Sequence, residues 1–289
     1  MKTPVSIVMC VRNVDKHINI CIRSILDQTY DDFELVIVDD LSTDSTRRKI
    51  EEFHDERIRY FKNQKWLGIS KSRNRGISES RGEYVFFTDG DCKVSKDWLD
   101  EGMRGFQDSQ IVGVEGRTYY VSEDYVPTFS DYIAENKHGG LFLTCNIAYK
   151  KRVVDKIGRF DENMAYYSDK DLALRVMKHG RISFRPGMIV YIQQQTVTPK
   201  DLMNRARRAR GVVQLFKKLK DKENVYWRLF NPLDFARLLC PSLVFLIALA
   251  YHNFKKPEDF RLLPYMYPYL AYERLNLWKE SAKERVFLI

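Results

Sequence analysis

Short apolar runs alternate with amphipathic stretches along the first half of this 289-residue chain, and this alternation limits the folds that it can adopt. Four of the runs are predicted strands, at residues 5–11, 33–38, 57–61 and 84–88. After the first run, Ile18, Ile22 and Ile25 recur at helical spacing, which predicts a helix with one apolar face. Strands that alternate with helices form β-α-β units, so the sequence predicts an α/β fold with a mostly parallel central sheet.

The rest of the chain gives a looser pattern. A second helix is predicted from the capping candidates at residues 42–45 to about residue 54. Further helices are predicted at residues 70–80, 97–106, 127–136 and 169–179, and extended segments at residues 111–120 and 141–149. From Pro199 onward the pattern is helical and basic. The sequence therefore predicts two domains, residues 1–198 and a helical C-terminal extension at residues 199–289.

Cysteine usage and hydropathy indicate where the protein works. The five cysteines never show C-x-x-C spacing, which argues against a disulfide framework or a structural zinc site and favours a reducing cytosol. A signal peptide is not expected, because Met1–Pro4 leads straight into the first predicted strand. The longest apolar stretch, residues 238–251, has about 14 residues, whereas a spanning helix needs roughly 20. A core helix or an interfacial segment is favoured there over a membrane element.

Acidic residues follow two of the predicted strands. Asp89-Gly90-Asp91 comes after the fourth strand, and Asp39-Asp40 closes the second. Open α/β sheets bind ligands beyond the carboxyl ends of their strands, and residues i and i+2 of a strand point to one face. Carboxylate oxygens suit Mg²⁺ or Mn²⁺. Asp89-Gly90-Asp91 is therefore either a cation site or a plain surface turn. For Asp39-Asp40, helix capping is the alternative to ligand binding.

Several short motifs also follow one another in a distinctive order. They are Val5-Ser6-Ile7-Val8, Val38-Asp39-Asp40-Leu41-Ser42-Thr43-Asp44-Ser45-Thr46, Gly68 with Ser72-Arg73-Asn74-Arg75-Gly76, Thr88-Asp89-Gly90-Asp91, Gly158-Arg159-Phe160-Asp161-Glu162, and Ser168-Asp169-Lys170-Asp171-Leu172-Ala173-Leu174-Arg175. In order and spacing they resemble the motifs of family-two glycosyltransferases. The resemblance covers roughly residues 4–195. It implies the GT-A fold, with a Rossmann-like, mostly parallel sheet flanked by helices.

The resemblance implies an enzyme that transfers a sugar, with inversion, from a UDP- or GDP-linked donor to a lipid-linked or glycan acceptor. It implies that the donor is bound by five residues from four segments: Cys10, Arg12, Asp40, Arg73 and Asp89. Asp91, with Asp89, would hold Mn²⁺ or Mg²⁺, and Asp169 would be the general base that takes the proton of the acceptor hydroxyl. Asn146 and Ser168 would lie on the acceptor side.

The chain departs from the pattern of this family at three positions. Ser168 stands where many relatives have Glu, and the last core strand ends in Ile192-Gln193 where many have His. Arg12 stands where an aromatic side chain would stack on the nucleobase. Helix capping remains an alternative role for Asp169, and Asp171 and Arg175, at i and i+4, are spaced for an ion pair.

Most of the basic charge of the chain lies in one segment. The formal net charge is +9, and residues 199–222 contain nine Lys or Arg against two Asp. Arg205 and Arg208, with Arg210, are candidate ligands of the donor pyrophosphate, because Arg binds such groups in a bidentate manner. Lys217 and Lys218, with Lys220, would face anionic lipid instead, and a solvated helix face remains the third interpretation.

These observations predict a cytoplasmic enzyme at the cytoplasmic face of a membrane, in peripheral contact with it. Aromatic and basic residues also mix in the tail, as they do in interfacial segments, although a dimer interface would have a similar composition. A nucleotidyltransferase is the second enzyme class, but its Gly-rich basic loop is absent after the first strand. Nucleic-acid binding is not expected, because no aromatics are interleaved with the Arg cluster.

Overall fold

The computed structural model describes residues 4–126, 128–131, 134–164, 166–193, 197–219 and 255–284. The chain divides into two compact units. The first comprises Met1–Tyr125, Ala134–Asn163 and Ser168–Gln193, and the second comprises Val126–Ile133, Met164–Tyr167 and Gln194–Ile289. The domain boundary at residue 198 stays a prediction. The apolar stretch at residues 238–251 and Lys220 lie outside the described residues.

The first unit alternates strands and helices as the sequence predicts. Its strands are β1 (Val5–Val11), β2 (Phe33–Asp39), β3 (Ile58–Lys62), β4 (Tyr84–Asp89), β5 (Cys92–Val94), β6 (Ile111–Tyr120), β7 (Ile147–Lys150) and β8 (Arg181–Ile192). Its helices are α1 (Ile18–Leu26), α2 (Thr46–Glu51), α3 (Ile69–Glu79), α4 (Trp98–Arg104), α5 (Lys151–Lys156) and α6 (Ser168–Val176). The α/β fold class is confirmed.

The strands form one eight-stranded mixed sheet in the order β3-β2-β1-β4-β7-β6-β8-β5. Strands β1 to β4 pair in parallel, β7 runs antiparallel to both β4 and β6, and β6 pairs in parallel with β8. The strands β1, β2, β3, β4, β6 and β8 therefore all point the same way. Their carboxyl ends share one edge of the sheet, which is where ligands bind in open α/β folds.

Both faces of the sheet are buried, because successive side chains of a strand point to opposite faces. Along β1, Ile7 and Met9 belong to a cluster that includes residues of α1 and α4. Val8 and Cys10 face the other way, into a cluster that includes residues of α3, α5 and α6. The apolar runs of the sequence thus have no polar face, as expected for strands covered by helices on both sides.

Two predictions beyond residue 120 were wrong. The described residues of the segment 127–136 form no helix, because local side chains bind its backbone: the Thr128 N–H donates to the Asp131 carboxylate at 2.8 Å. Residues 141–149 are not one extended run either. A 3-10 turn at Thr144–Asn146 precedes β7, and the buried Glu115 carboxylate accepts hydrogen bonds from the N–H groups of Gly140 and Phe142 just before it.

The second unit is helical where the structure describes it. Its helices are α7 (Pro199–Ala206), α8 (Ala209–Leu219), α9 (Pro257–Leu262) and α10 (Met266–Glu284). Helices α8 and α10 meet through an apolar cluster that contains Val213 and Leu277. Three polar pairs flank this contact: Arg210–Asn276 at 2.7 Å, Gln214–Glu280 at 3.1 Å and Lys217–Glu284 at 2.7 Å. Among the described residues, none of the helices has both the length and the apolar composition that crossing a membrane requires.

Candidate active site

The ends of β1 and β4 bring the first candidate residues together. Cys10 and Asp89 are direct partners in the register of these two strands. Asp89 follows Phe87 by two residues, so its side chain points to the α3 face of the sheet, as does that of Cys10. Burial raises the pKa of the Cys10 thiol to about 12, and the Asp89 carboxylate adds to this shift. The thiol is therefore neutral near pH 7 and lines the site without acting as a nucleophile.

Asp40, at the end of β2, anchors the loop between β3 and α3. Its carboxylate accepts hydrogen bonds from the Asn63 side chain at 2.8 Å, the Leu67 N–H at 2.9 Å and the Gly68 N–H at 2.8 Å. Gly68 has φ +85°, a conformation that favours glycine, directly before the first residue of α3. These three donors fix the position of the buried Asp40 carboxylate. Its contact with a nucleobase stays a prediction.

Arg73, on α3, forms an ion pair with Asp89. Its guanidinium lies 3.4 Å from the Asp89 carboxylate and 5.5 Å from the ring centroid of Phe160. The helix comes this close to the sheet because it has no side chain at Gly76, where a Cβ atom would lie 2.4 Å from a methyl group of Val8. Only 11% of the Arg73 side chain is exposed, against 34% for Asp89, so the Asp89 carboxylate is open on one side.

Asp169 lies in the first turn of α6, and only part of it is exposed. Burial raises the pKa of its carboxyl group, and the negative charge of Asp89 acts in the same direction. The Lys170 N–H, which donates to this carboxylate at 2.8 Å, and the positive charge of Arg73 partly offset the increase. Asp169 is thus within electrostatic range of the Arg73–Asp89 pair. The sequence separates Asp89 from Asp169 by 80 positions, and the fold brings them into one site.

The start of α6 is fixed by the residue two positions beyond Asp169. The Asp171 carboxylate is buried and forms an ion pair with Arg175 at 2.8 Å, as the i, i+4 spacing predicts. Arg175 also donates to the backbone carbonyl groups of Ile157 and Arg159. This network ties α6 to the segment after α5. The orientation of Asp169 therefore depends on a buried network that Asp169 itself does not join.

Asp91 lies in the tight turn between β4 and β5. Its backbone carbonyl accepts the Gln193 N–H at 2.8 Å, and its carboxylate accepts the Cys92 thiol at 3.4 Å. The hydrogen bond from Gln193 places the end of β8 beside the acidic turn. Gln193 follows β8 at the point where many members of the resembled family have a His. Across the described part of the chain, no group of three or more His, Cys, Asp or Glu side chains is arranged to hold a metal ion.

The two residues predicted on the acceptor side, Asn146 and Ser168, are both buried, at 1% and 4% exposure. The Asn146 side-chain oxygen accepts the Trp98 indole N–H at 2.8 Å. Its amide nitrogen donates to the carbonyl groups of Arg117 at 2.8 Å and Met188 at 3.0 Å. Asn146 therefore connects β6, β8 and α4, and its direct contact with an acceptor stays a prediction.

Replacing Asn146 with alanine is expected to lower the free energy of unfolding by about 3 kcal/mol or more, because a buried indole N–H and two buried carbonyl groups lose their partner. Urea denaturation of the purified protein measures this. Asn163→Ala, at an exposed position, is the matched control and is expected to change stability by less than about 0.5 kcal/mol. Equal stabilities of the two variants would contradict this account of Asn146.

Arg205 and Arg208 belong to the second unit. Arg205 lies in the last turn of α7, and Arg208 lies in the short connection between α7 and α8. The other candidate residues belong to the first unit. Their predicted contact with the donor pyrophosphate stays a prediction.

Two residues of the loop between β3 and α3 were missed. Asn63 follows β3 as Asp40 follows β2, so its place after a parallel strand is the signal that could have identified it. Trp66 is 61% exposed, and its ring centroid lies 5.6 Å from the guanidinium carbon of Arg12. A single Trp in a polar loop forms no pattern, so the sequence gives no comparable signal for it.

Comparison with known proteins agrees with the fold and with the motifs. The family model "Glycosyl transferase family 2" matches residues 6–161, which is more than half of the chain. A UDP-Glc:alpha-D-GlcNAc-diphosphoundecaprenol beta-1,3-glucosyltransferase of Escherichia coli, WfaP, is 31% identical over 172 residues, which are 59% of this chain and 68% of that protein. A second Escherichia coli enzyme of the same description, WfgD, is 28% identical over 183 residues, 62% of this chain and 72% of that protein.

Among solved structures, the mannosyltransferase PcManGT of Pyrobaculum calidifontis, in complex with GDP-Man and Mn²⁺, is similar with a TM-score of 0.64. The match covers 96% of this chain and 88% of that chain at 20% sequence identity, so it concerns the fold alone. The mixed α/β sheet and the match of the family model lead to one assignment. The chain belongs to glycosyltransferase family 2 and has the GT-A fold.

Proposed function

We propose that this protein transfers a sugar from a UDP- or GDP-linked donor to a hydroxyl group of a lipid-linked or glycan acceptor, with inversion at the anomeric carbon. The observation that carries the proposal is the electrostatic coupling of Asp169 to the Arg73–Asp89 pair at the carboxyl edge of the sheet. The proposed proton acceptor would thus lie close to the proposed donor site. The relatives WfaP and WfgD are described as enzymes with a UDP-linked donor and a diphosphoundecaprenol-linked acceptor, and this supports the substrate class.

In the proposed reaction Asp169 acts on the acceptor. Its carboxylate takes the proton of the acceptor hydroxyl while the oxygen of that hydroxyl forms a bond to the anomeric carbon. The bond between this carbon and the diphosphate oxygen breaks, and the electron pair leaves with the nucleoside diphosphate. A single displacement of this kind inverts the configuration. The raised pKa of Asp169 makes it a stronger base than an ordinary Asp.

Arg73 and Asp40 have supporting roles in this proposal. Arg73 would hold Asp89 in place and contribute positive charge beside the diphosphate, where negative charge accumulates as the bond breaks. Asp40 would keep the loop between β3 and α3 closed against the end of β2 through its bonds to Leu67 and Gly68. The part of the proposed donor site that receives the nucleobase would thus be formed before the donor binds.

Asp89 and Asp91 fit a divalent cation. The partly exposed carboxylate of Asp89 is on the last residue of β4, and that of Asp91 is two positions further on, in the turn before β5. Mn²⁺ or Mg²⁺ binds oxygen ligands of this kind while it keeps water or phosphate oxygens. With two carboxylates rather than a cluster of three, the site would leave positions open for the diphosphate. When bound, the cation would supply positive charge to the leaving diphosphate.

The pH dependence of turnover follows from the role of Asp169. The general base must be ionised to accept a proton. An ordinary Asp has a pKa near 4, and because the pKa of Asp169 is raised, this carboxylate becomes protonated at a higher pH. We therefore expect kcat, with both substrates saturating, to be constant at neutral pH and to fall as the pH is lowered through a midpoint above 4. A kcat that stays constant down to pH 4 would contradict this assignment.

A transfer assay tests the proposed function. The purified protein is incubated with radiolabelled UDP-glucose, UDP-N-acetylglucosamine or GDP-mannose and a diphosphoundecaprenol-linked sugar acceptor, and label is measured in the organic phase. Label from one donor, lost in EDTA and restored by Mn²⁺, is the expected result. Release of free sugar without transfer, or no label with any donor, would count against the proposed acceptor class.

The second unit is proposed to contact the membrane surface. Helix α8 carries Lys218 in its last turn, beside Lys217, whose charge is offset by Glu284. Helix α7 and the connection after it carry further Arg. Each basic residue near anionic lipid contributes roughly 1 kcal/mol. Co-sedimentation with phosphatidylglycerol vesicles at low salt is expected, together with release at high salt. A protein that stays in the supernatant at low salt would remove this part of the proposal.

A further inference from the structure

Trp66 is an unusually exposed aromatic residue. It is 61% exposed, whereas large aromatic side chains are mostly buried in folded proteins. The loops that follow β1, β2, β3 and β4, at residues 12–17, 40–45, 63–68 and 90–91, contain no other Trp, Tyr or Phe. All four loops leave the sheet at the edge where open α/β folds bind their ligands. The exposed indole therefore lies in a loop of the ligand-binding edge and is the one aromatic side chain of these four loops.

The chain fixes the loop that carries this indole. Directly after Trp66, the N–H groups of Leu67 and Gly68 donate to the buried carboxylate of Asp40 at 2.9 and 2.8 Å. Before it, Asn63 donates to the same carboxylate at 2.8 Å. A loop tied at both ends to the end of β2 holds its side chains near that strand end. Trp66 is thus presented beside Asp40 by a rigid support.

A cation–π contact orients the ring itself. The guanidinium carbon of Arg12, the first residue after β1, lies 5.6 Å from the centroid of the Trp66 ring. Val11, at the end of β1, accepts the Asp40 N–H at 2.9 Å, so the segments that bear Arg12 and Asp40 are joined at this edge. Arg12 and Trp66 therefore meet across the end of β2. A guanidinium on one side of an indole leaves the rest of the ring surface for another flat group.

We propose that the nucleobase of the donor stacks on the indole of Trp66, with Arg12 holding the ring in position, and that Trp66 thereby sets the affinity for the nucleotide. This inference rests on the proposed donor site. Arg12 stands where an aromatic side chain was expected to stack on the nucleobase, and in this proposal the loop after β3 supplies that aromatic side chain instead. Stacking tolerates any base, since every base has a π face. Trp66 contributes affinity and leaves the choice between bases to hydrogen-bonding groups.

Calorimetric titration of the full-length protein with UDP, GDP and inorganic pyrophosphate, each in the presence of Mn²⁺, tests the proposal. Trp66→Ala is expected to weaken binding of the preferred nucleoside diphosphate about tenfold or more, as loss of a stacking partner does. Pyrophosphate, which has no base, is expected to bind the variant and the wild type equally. Trp66→Phe restores most of the affinity because it keeps an aromatic face. Ile20→Ala, at a position that is 45% exposed on α1, is the surface control.

Tryptophan fluorescence gives a second test. If Trp66 had only a structural role, binding of a nucleotide would not quench its emission. Trp66 is one of four tryptophans in the chain, and a stacked base quenches indole emission. Quenching by the nucleotide is expected in the wild type and in Trp278→Phe. It is expected to disappear in Trp66→Phe although calorimetry still detects binding.

The outcomes separate this inference from the proposed function. If the wild type binds a nucleoside diphosphate and Trp66→Ala binds it equally well, or if quenching persists in Trp66→Phe, Trp66 is only the partner of a surface Arg and the inference fails alone. If Trp66→Ala weakens pyrophosphate and nucleotide alike, the effect is structural and the inference also fails. If the wild type binds neither UDP nor GDP, the proposed donor site fails and the inference fails with it.

Discussion

Replacing Asp169 with asparagine is expected to lower kcat about a thousandfold while the dissociation constant of the donor stays within about threefold of the wild-type value. General-base catalysis contributes roughly 10² to 10⁴ in rate, and an amide cannot take the proton. The side chain keeps its shape, and the network that fixes the start of α6 runs through Asp171 and Arg175, so the site is expected to remain folded. Steady-state kinetics and a donor titration measure the two quantities.

The same substitution is expected to leave the free energy of unfolding unchanged or to increase it. Because burial raises the pKa of Asp169, the folded state binds a proton on this group more tightly than the unfolded state does. Above its usual pKa range the charged group therefore destabilises the fold, and this penalty disappears as the pH falls through the raised value. Asp169→Asn is expected to unfold at the same or a higher denaturant concentration than the wild type at pH 7.

Asp27→Asn, an exposed carboxylate at the end of α1, is the control for charge removal. It is expected to leave both kcat and stability close to the wild-type values. An Asp169→Asn variant that keeps more than about a third of the wild-type kcat would contradict the assignment of Asp169 as the base. A variant that loses activity only because it is less stable would point to the helix-capping role instead.

Replacing Asp91 with asparagine is expected to weaken the Mn²⁺-dependent binding of nucleoside diphosphate by at least about a hundredfold. Loss of an outer partner of a metal site already costs 10- to 100-fold in affinity, and a direct ligand is expected to cost more. The turn itself is held by the Asp91 backbone carbonyl, which accepts the Gln193 N–H and does not depend on the carboxylate. The variant is therefore expected to fold normally. Calorimetric titration of UDP or GDP with and without Mn²⁺ measures the effect.

The comparison of Asp91→Asn with Asp27→Asn shows whether the loss is specific to the acidic turn, because both changes remove one negative charge. Binding in the presence of Mn²⁺ that is equal for Asp91→Asn and the wild type would contradict a cation held by Asp91. Binding that is equally strong with Mn²⁺ and with EDTA in the wild type would contradict a cation at this site altogether.

The sequence was sufficient where one physical cause dominates. The runs at β1, β2 and β4 are apolar on both faces, and only a strand covered by helices on both sides buries such a run. The helices between them show one apolar face each. From this pattern alone, the carboxyl edge with Asp40 and Asp89 was predictable, because parallel strands place their ends together.

The sequence was insufficient where side chains decide the path of the backbone. The buried carboxylate of Glu115 binds N–H groups 25 and 27 residues further on, at Gly140 and Phe142, and no local pattern reports this. Asp40 likewise holds Leu67 and Gly68, which made the loop with Trp66 part of the site. Distant hydrogen bonds of this kind depend on the completed fold, so pattern analysis identifies neither the loops nor the residues that they present.

Thermal unfolding of the wild-type protein with UDP and with GDP, each with and without Mn²⁺, is the direct test of the proposed donor site. A ligand at about 100 times its dissociation constant adds roughly 2.7 kcal/mol to the free energy of unfolding, which raises the melting temperature measurably. We expect a higher melting temperature with one of the two nucleotides, and only when Mn²⁺ is present. An unchanged melting temperature under all four conditions would contradict a donor site at this edge of the sheet.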